Sequence, residues 1–212
     1  MDQNWIDKFP FHDNKVLFGH DPTPGLIAFE AEGSDDVRIY RRQGDDTSSE
    51  TSSFHPFMIL EGRDLIEGWK GEFELEPLEG GGPLNHLILF PDLKGLESAK
   101  SYVQKKSGKG PSAPDAPYLY INDPVQQYLM LTGRTHFLGM AFSDLRRMQI
   151  DIETYCQSGF EFPNAERQSD RITAIAMSDS TGWERLISGK EYGEPEMLTE
   201  MAWEIQGRDP DV

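Results

Sequence analysis

Short apolar runs broken by turn residues dominate the first forty positions. "NKVLFGHD" (14–21) and "PGLIAFEAEG" (24–33) are bounded by Asp, Pro and Gly, the pattern of strands between tight connections. "DDVRIYRRQG" (35–44) alternates around Val37 and Ile39, which predicts a half-exposed strand. The polar, low-complexity "DDTSSETSS" (45–53) reads as a mobile loop. "FHPFMILEG" (54–62) predicts a strand whose start Pro56 confines to an edge or bulge. "GWKGEFELEPLEG" alternates at Trp69, Phe73 and Leu75, "GGGP" reads as a tight loop, and "LNHLILFPD" predicts a buried strand.

Helical spacing continues the chain at Leu93, Leu96, Ala99 and Val103, closed by lysines and Gly108, as a C-cap requires. "GKGPSAPDAP" is a linker and "YLYI" a strand. "DPVQQYLMLTG" predicts a short helix with Asp123 at the N-cap and Pro124 in the first turn. "RMQIDIET" (147–154) reads as a central strand. "DRITAIAMSDSTGWERLIS" predicts two further strands joined near Ser180–Gly182. The last predicted helix carries Met197, Leu198, Met201, Ala202 and Ile205 on its apolar positions and is stopped by Gly207 and Pro210. The pattern predicts an α/β (α+β) chain in two modules, a mixed-sheet module over 1–146 and a smaller one over 147–212. The second module, three strands and a helix, is thin for an independent domain, and the ending "DPDV" reads as an interruption.

Composition bounds the function. The chain has 212 residues, 37% of them hydrophobic, and no apolar run long enough to span a bilayer. No signal-peptide pattern opens the chain. A lone Cys156 excludes an internal disulfide and fits a reducing, cytoplasmic setting. Twenty Lys and Arg face 37 Asp and Glu, a net charge of −17, which repels phosphate backbones at long range. Either a salt-adapted surface or a larger protein with its basic parts elsewhere accounts for that balance.

The candidate chemistry lies in "QIDIET". Residues i and i+2 of a strand share a face, roughly 7 Å apart at Cα. Asp151 and Glu153 therefore stand side by side, while Ile150 and Ile152 are expected to face the core. Two carboxylates this close repel one another unless a cation sits between them. Hard oxygen ligands suit Mg²⁺ or Mn²⁺, and nucleases use metal pairs about 3.5–4 Å apart to clamp a phosphodiester. Asp-x-Glu alone is a weak signal, because most such pairs are solvated strand faces.

The context resembles family B DNA polymerases, from the amino terminus into the proofreading domain. "MQIDIET" is similar to that family's first exonuclease motif, and "SDRITAIAMSDSTGWE" to the strand pair that comes after it. "GRDPDV" resembles the segment before the second motif, Asn-x-x-x-Phe-Asp. "VRIYRRQGDD…FHPFMIL" resembles the amino-terminal β-module of archaeal-type members, and "DPVQQYLMLTG" the helix leading into the exonuclease domain. The resemblance is strong over 146–212, fair at 37–60 and 117–134, and poor elsewhere.

It implies a ribonuclease H-like 3′–5′ exonuclease fold, with Asp151 and Glu153 as catalytic metal ligands for Mg²⁺ or Mn²⁺. The partners implied are the DNA template and 3′ end, together with the remaining polymerase domains. The second-motif Asp and third-motif Tyr-x-x-x-Asp are not in this sequence, so the chain alone is expected to have little or no nuclease activity. The family's archaeal uracil-sensing pocket corresponds to positions near Pro56, Phe57 and Gln127. Gln127 stands where the family pattern has a basic residue, which weighs against uracil sensing.

Other residues weigh less. Arg41, Arg42, Arg146, Arg147 and "QKKSGKG" are cations of the kind that meet DNA phosphate, although solvated turns explain most such charges. Arg146 and Arg147 border the Asp-Glu strand and are the best of them. Cys156 and His136 have no third partner at ligand spacing, and His12, His20, His55 and His86 are scattered. "GGGP" lacks the Lys of a phosphate loop. Trp69, Trp183 and Trp203 are of a type more often core or interface anchors than base platforms. Two rivals stand beside the polymerase reading: a non-catalytic module binding template or a partner protein, and a standalone nuclease of the same fold.

Overall fold

The computed structural model describes residues 19–33, 35–79 and 81–212. Most of the strand expected at 14–21, and His12, lie outside them. The described residues form a mixed α/β structure of three antiparallel sheets and three α-helices, an α+β arrangement. None of these helices is long and apolar enough to cross a membrane. The chain divides into two compact units, one ending at Leu138 and the other spanning Gly139–Val212.

In the first unit, β1 (Leu26–Glu32), β2 (Asp36–Gln43) and β3 (Asp46–Ser53) form one sheet in that order. The segment expected to be a loop is β3. It carries no apolar alternation, yet it pairs with β2 from Asp36↔Ser53 to Gln43↔Asp46. Gly44, at positive φ, makes the tight reversal that a short hairpin needs. The strand is therefore specified by its neighbour's ladder and not by its own pattern.

The second sheet has the order β5 (Glu74–Pro77), β6 (His86–Leu89), β4 (Phe57–Leu60), β7 (Tyr118–Tyr120). Pro56 precedes β4, so its missing N–H disturbs no pairing within that strand. Helix α1 (Leu93–Ser107) buries Leu96, Ala99 and Val103 against Met58, Leu60, Ile88 and Phe90. Asp92 caps it by accepting from the Gly95 amide at 2.6 Å, and Gly108 ends it in the left-handed conformation. Trp69 leaves the expected strand alternation. It comes after a 3₁₀ turn at Arg63–Leu65, and its ring meets Phe90 edge-on.

Helix α2 (Pro124–Thr132) is capped by Asp123, which accepts from the Val125 and Gln126 amides, and ends at left-handed Gly133. Its Tyr128 joins Leu26, Val37, Ile39 and Phe54 in a second core.

In the second unit the order is β10 (Glu184–Ser188), β9 (Arg171–Asp179), β8 (Met148–Tyr155). Helix α3 (Glu194–Arg208) packs on β9 and β10 and sets Met197 among Ile175, Met177 and Ile187. It runs past Gly207 and is capped by Asp209 at positive φ, just before Pro210. Beyond it, Val212 donates to the Arg146 carbonyl and accepts from the Met148 amide, the alternation of a parallel pair.

Candidate metal and nucleic-acid site

β8 is an edge strand of its sheet, not the expected central one. Its register assigns each side chain to a face. Ile150 lies opposite Met177 and Ile152 opposite Ile175, on the face that α3 covers. The helix sits over β9 and β10, so the two isoleucines remain 40% and 43% exposed and do not enter the core.

Asp151 and Glu153 occupy the opposite face, across from Ala176 and Ala174. The methyl side chains of β9 leave this face low in the middle. A groove of about 460 Å³ crosses it, with Ala176 and Ser178 below, Gln149 and Asp151 on one side, and Glu184 and Leu186 on the other. Ser178 donates to the Gln149 side-chain oxygen at 3.2 Å, fixing one wall. Both carboxylates are solvent-exposed, and a register shift lies just past Glu153. Such irregularities re-aim side chains at the end of a strand.

Asp151 and Glu153 offer hard oxygen donors on one surface. Among the described residues no group of three or more His, Cys, Asp and Glu could hold a metal ion. The pair still suits Mg²⁺, which keeps several waters and binds through one or two carboxylates plus substrate phosphate.

The loop after β8 carries a feature that sequence reading missed. Phe160 and Phe162 are 56% and 74% exposed. The buried Asp170 organises this loop by accepting from the Gln157 and Asn164 amides, both at 2.9 Å, and by pairing with Arg167 at 3.0 Å. Burial works against its charge, yet those two amides and Arg167 hold its carboxyl below the usual range. Arg167 donates to the Phe162 carbonyl at 2.6 Å and lies over the Phe160 ring at 3.7 Å. Tyr155, at the end of β8, is exposed with Arg171 above its ring. The signal was available in "GFEF", two aromatics in an otherwise polar loop. The loop that presents them is held by Asp170, at its far end.

Arg146 and Arg147 are anchored by their backbones. The Arg146 amide donates to Asp211 and the Arg147 amide to Ser180. The Arg147 guanidinium lies over the Phe142 ring at 3.8 Å.

In the first unit, Pro56, Phe57 and Gln127 are all buried. Gln127 accepts from the Phe57 amide and donates to the Ile121 carbonyl, both at 2.7 Å, so these positions meet as a hydrogen-bonded joint between β4 and α2. Cys156 is half-buried with its thiol directed at the Gln157 and Phe160 carbonyls, and His136 packs edge-on against Phe29.

No protein-family model and no curated protein sequence matches the chain. The fold does match a solved structure, the family B DNA polymerase from the hyperthermophilic archaeon Pyrobaculum calidifontis. The TM-score is 0.56 at 14% identity, over 87% of this chain and 29% of that one. At that identity the likeness is one of fold. The chain spans less than a third of the polymerase it matches.

Proposed function

We infer that the chain is the amino-terminal part of a family B DNA polymerase and that its second unit supplies two carboxylates to a proofreading 3′–5′ exonuclease centre. The observation that carries this reading is Asp151 and Glu153 side by side on the open face of β8, in a chain whose fold resembles such a polymerase. In this reading the two side chains hold Mg²⁺ or Mn²⁺, and the bound ions offset charge on the phosphodiester being hydrolysed. Glu153 orients the attacking water. The small side chains of β9 leave room for the strand end, and Phe160 and Phe162 give its bases stacking surfaces. DNA and the remaining polymerase domains are the partners.

The test is Mn²⁺ alone, added to the full chain and monitored by paramagnetic broadening of amide signals. Broadening centred on Ala174, Ala176 and the two carboxylate positions, and lost in Asp151→Asn and Glu153→Gln, is the expected result. Broadening elsewhere, or none at millimolar metal, removes the metal reading. The rival of a non-catalytic binding module would then stand, since no third ligand joins the pair among the described residues.

A further inference from the structure

We propose that the first unit carries a phosphate-binding pocket built on Arg41, between the β2–β3 hairpin and the segment leading into β1. A cavity of about 150 Å³ lies there, lined by Thr23, Leu26, Ile39, Arg41, Ser48, Ser49 and Glu50. Leu26 and Ile39 form an apolar floor, and Ser48 stands directly opposite Arg41 across the ladder. The Arg41 Nε is buried with no hydrogen-bond partner among the described residues.

Beside it one cation serves two acids. Arg134 lies 3.7 Å from both Asp21 and Glu50, and its guanidinium also donates to the Tyr128 hydroxyl at 2.8 Å. Asp21 accepts from the Thr23 amide at 2.8 Å, which fixes the turn that brings Thr23 to the pocket. Glu50 lines the pocket, and Arg134, shared with Asp21, offsets only part of its repulsion for an anion. Among the described residues Arg41 is the cation that lines the pocket, and its guanidinium makes no ion pair.

A buried guanidinium nitrogen without an acceptor is costly, and a phosphate oxygen satisfies it with a charge-assisted bond. Arg presents its donors as a planar fork that matches a phosphate oxyanion. The Ser48 hydroxyl already donates to the Arg41 carbonyl at 3.5 Å, so those of Thr23 and Ser49 are left to complete the cradle. The ligand is thus a single phosphate group, either free or part of a nucleic-acid strand. This pocket shares no residue with the metal pair, so it succeeds or fails independently of the exonuclease reading.

The experiment compares inorganic phosphate with chloride at matched ionic strength, by thermal melting and calorimetric titration of the full chain. Phosphate stabilises many proteins weakly by exclusion from their surfaces, so the variants decide. Arg41→Gln is expected to bind phosphate at least tenfold more weakly while melting normally without it, and Arg41→Lys to fall between. A short thymidine oligonucleotide forms the second arm. If it competes with phosphate, and Arg41→Gln lowers its salt slope by about one, the ligand is a strand phosphate. If it does not compete, the ligand is free phosphate. Equal phosphate response in wild type and Arg41→Gln, or no response in wild type, overturns the site.

Discussion

At the scale of single residues, Asp179 shows how local donors set acid sensitivity. The Thr181 hydroxyl, then the Thr181 amide, Arg208 and the Trp183 amide stabilise its charged form, and its pKa is lowered to about 2. Arg208 in turn lies 3.4 Å over the Trp183 ring, joining the β9–β10 turn to the end of α3. A carboxyl whose folded pKa lies below its unfolded value near 4 stabilises the fold above about pH 4. That contribution fades as pH falls from about 4 through 2. Asp179→Asn is expected to lower the melting temperature at neutral pH and to flatten its fall across that window, read by melting the variant and wild type at matched pH steps. An unchanged acid profile would assign the acid sensitivity to other carboxyls.

Phe162 makes a second residue-scale case. Its ring is solvent-exposed, so Phe162→Ala should barely move the melting temperature. Stacking of a base is worth ~1–3 kcal/mol, so the same change should weaken binding of a short single-stranded oligonucleotide about tenfold. Fluorescence anisotropy with a labelled oligonucleotide reads it. Loss of stability without loss of binding would mean the ring serves the fold.

At the scale of elements, the legible parts are those whose signals are local. The end of α1 was legible at Gly108 and the start of α2 at Asp123, because a cap acts within a turn. β3 could not, because its pairing comes from β2 and its own serines carry no apolar alternation. The shared face of Asp151 and Glu153 comes from strand period alone. The edge position of β8 depends on sheet order, which no local pattern encodes, and so the exposure of Ile150 and Ile152 was not readable.

Gln127 is an element joint disguised as a polar surface residue. Its side-chain amide bonds to both the Phe57 amide and the Ile121 carbonyl while fully buried. Gln127→Ala orphans both groups, at ~1–3 kcal/mol for each buried partner. Asp123→Ala removes only a cap, worth ~1 kcal/mol. Urea unfolding should therefore rank Gln127→Ala as clearly the more damaging, and the reverse order would show that water replaces the lost partners.

At the scale of the whole molecule, charge is the dominant property, and its consequence differs from that of the local ion pairs. Several cations are already committed: Arg38 to Glu32, Arg185 to Glu200 and Glu204, Arg167 to Asp170, and Lys109 to Asp115. Most of these pairs are at least partly exposed, and exposed pairs contribute little, ~0–1 kcal/mol each. The acids left over repel one another within each unit, an effect that a net charge of −17 makes general. Salt screens both effects, with a Debye length of about 10 Å at 0.1 M. Because repulsion involves more groups than the pairs do, added sodium chloride should raise the melting temperature from low ionic strength to about 0.15 M. Thermal melts over one salt series test this. A melting temperature that falls with salt would show that the ion pairs, and not the excess acids, govern this chain.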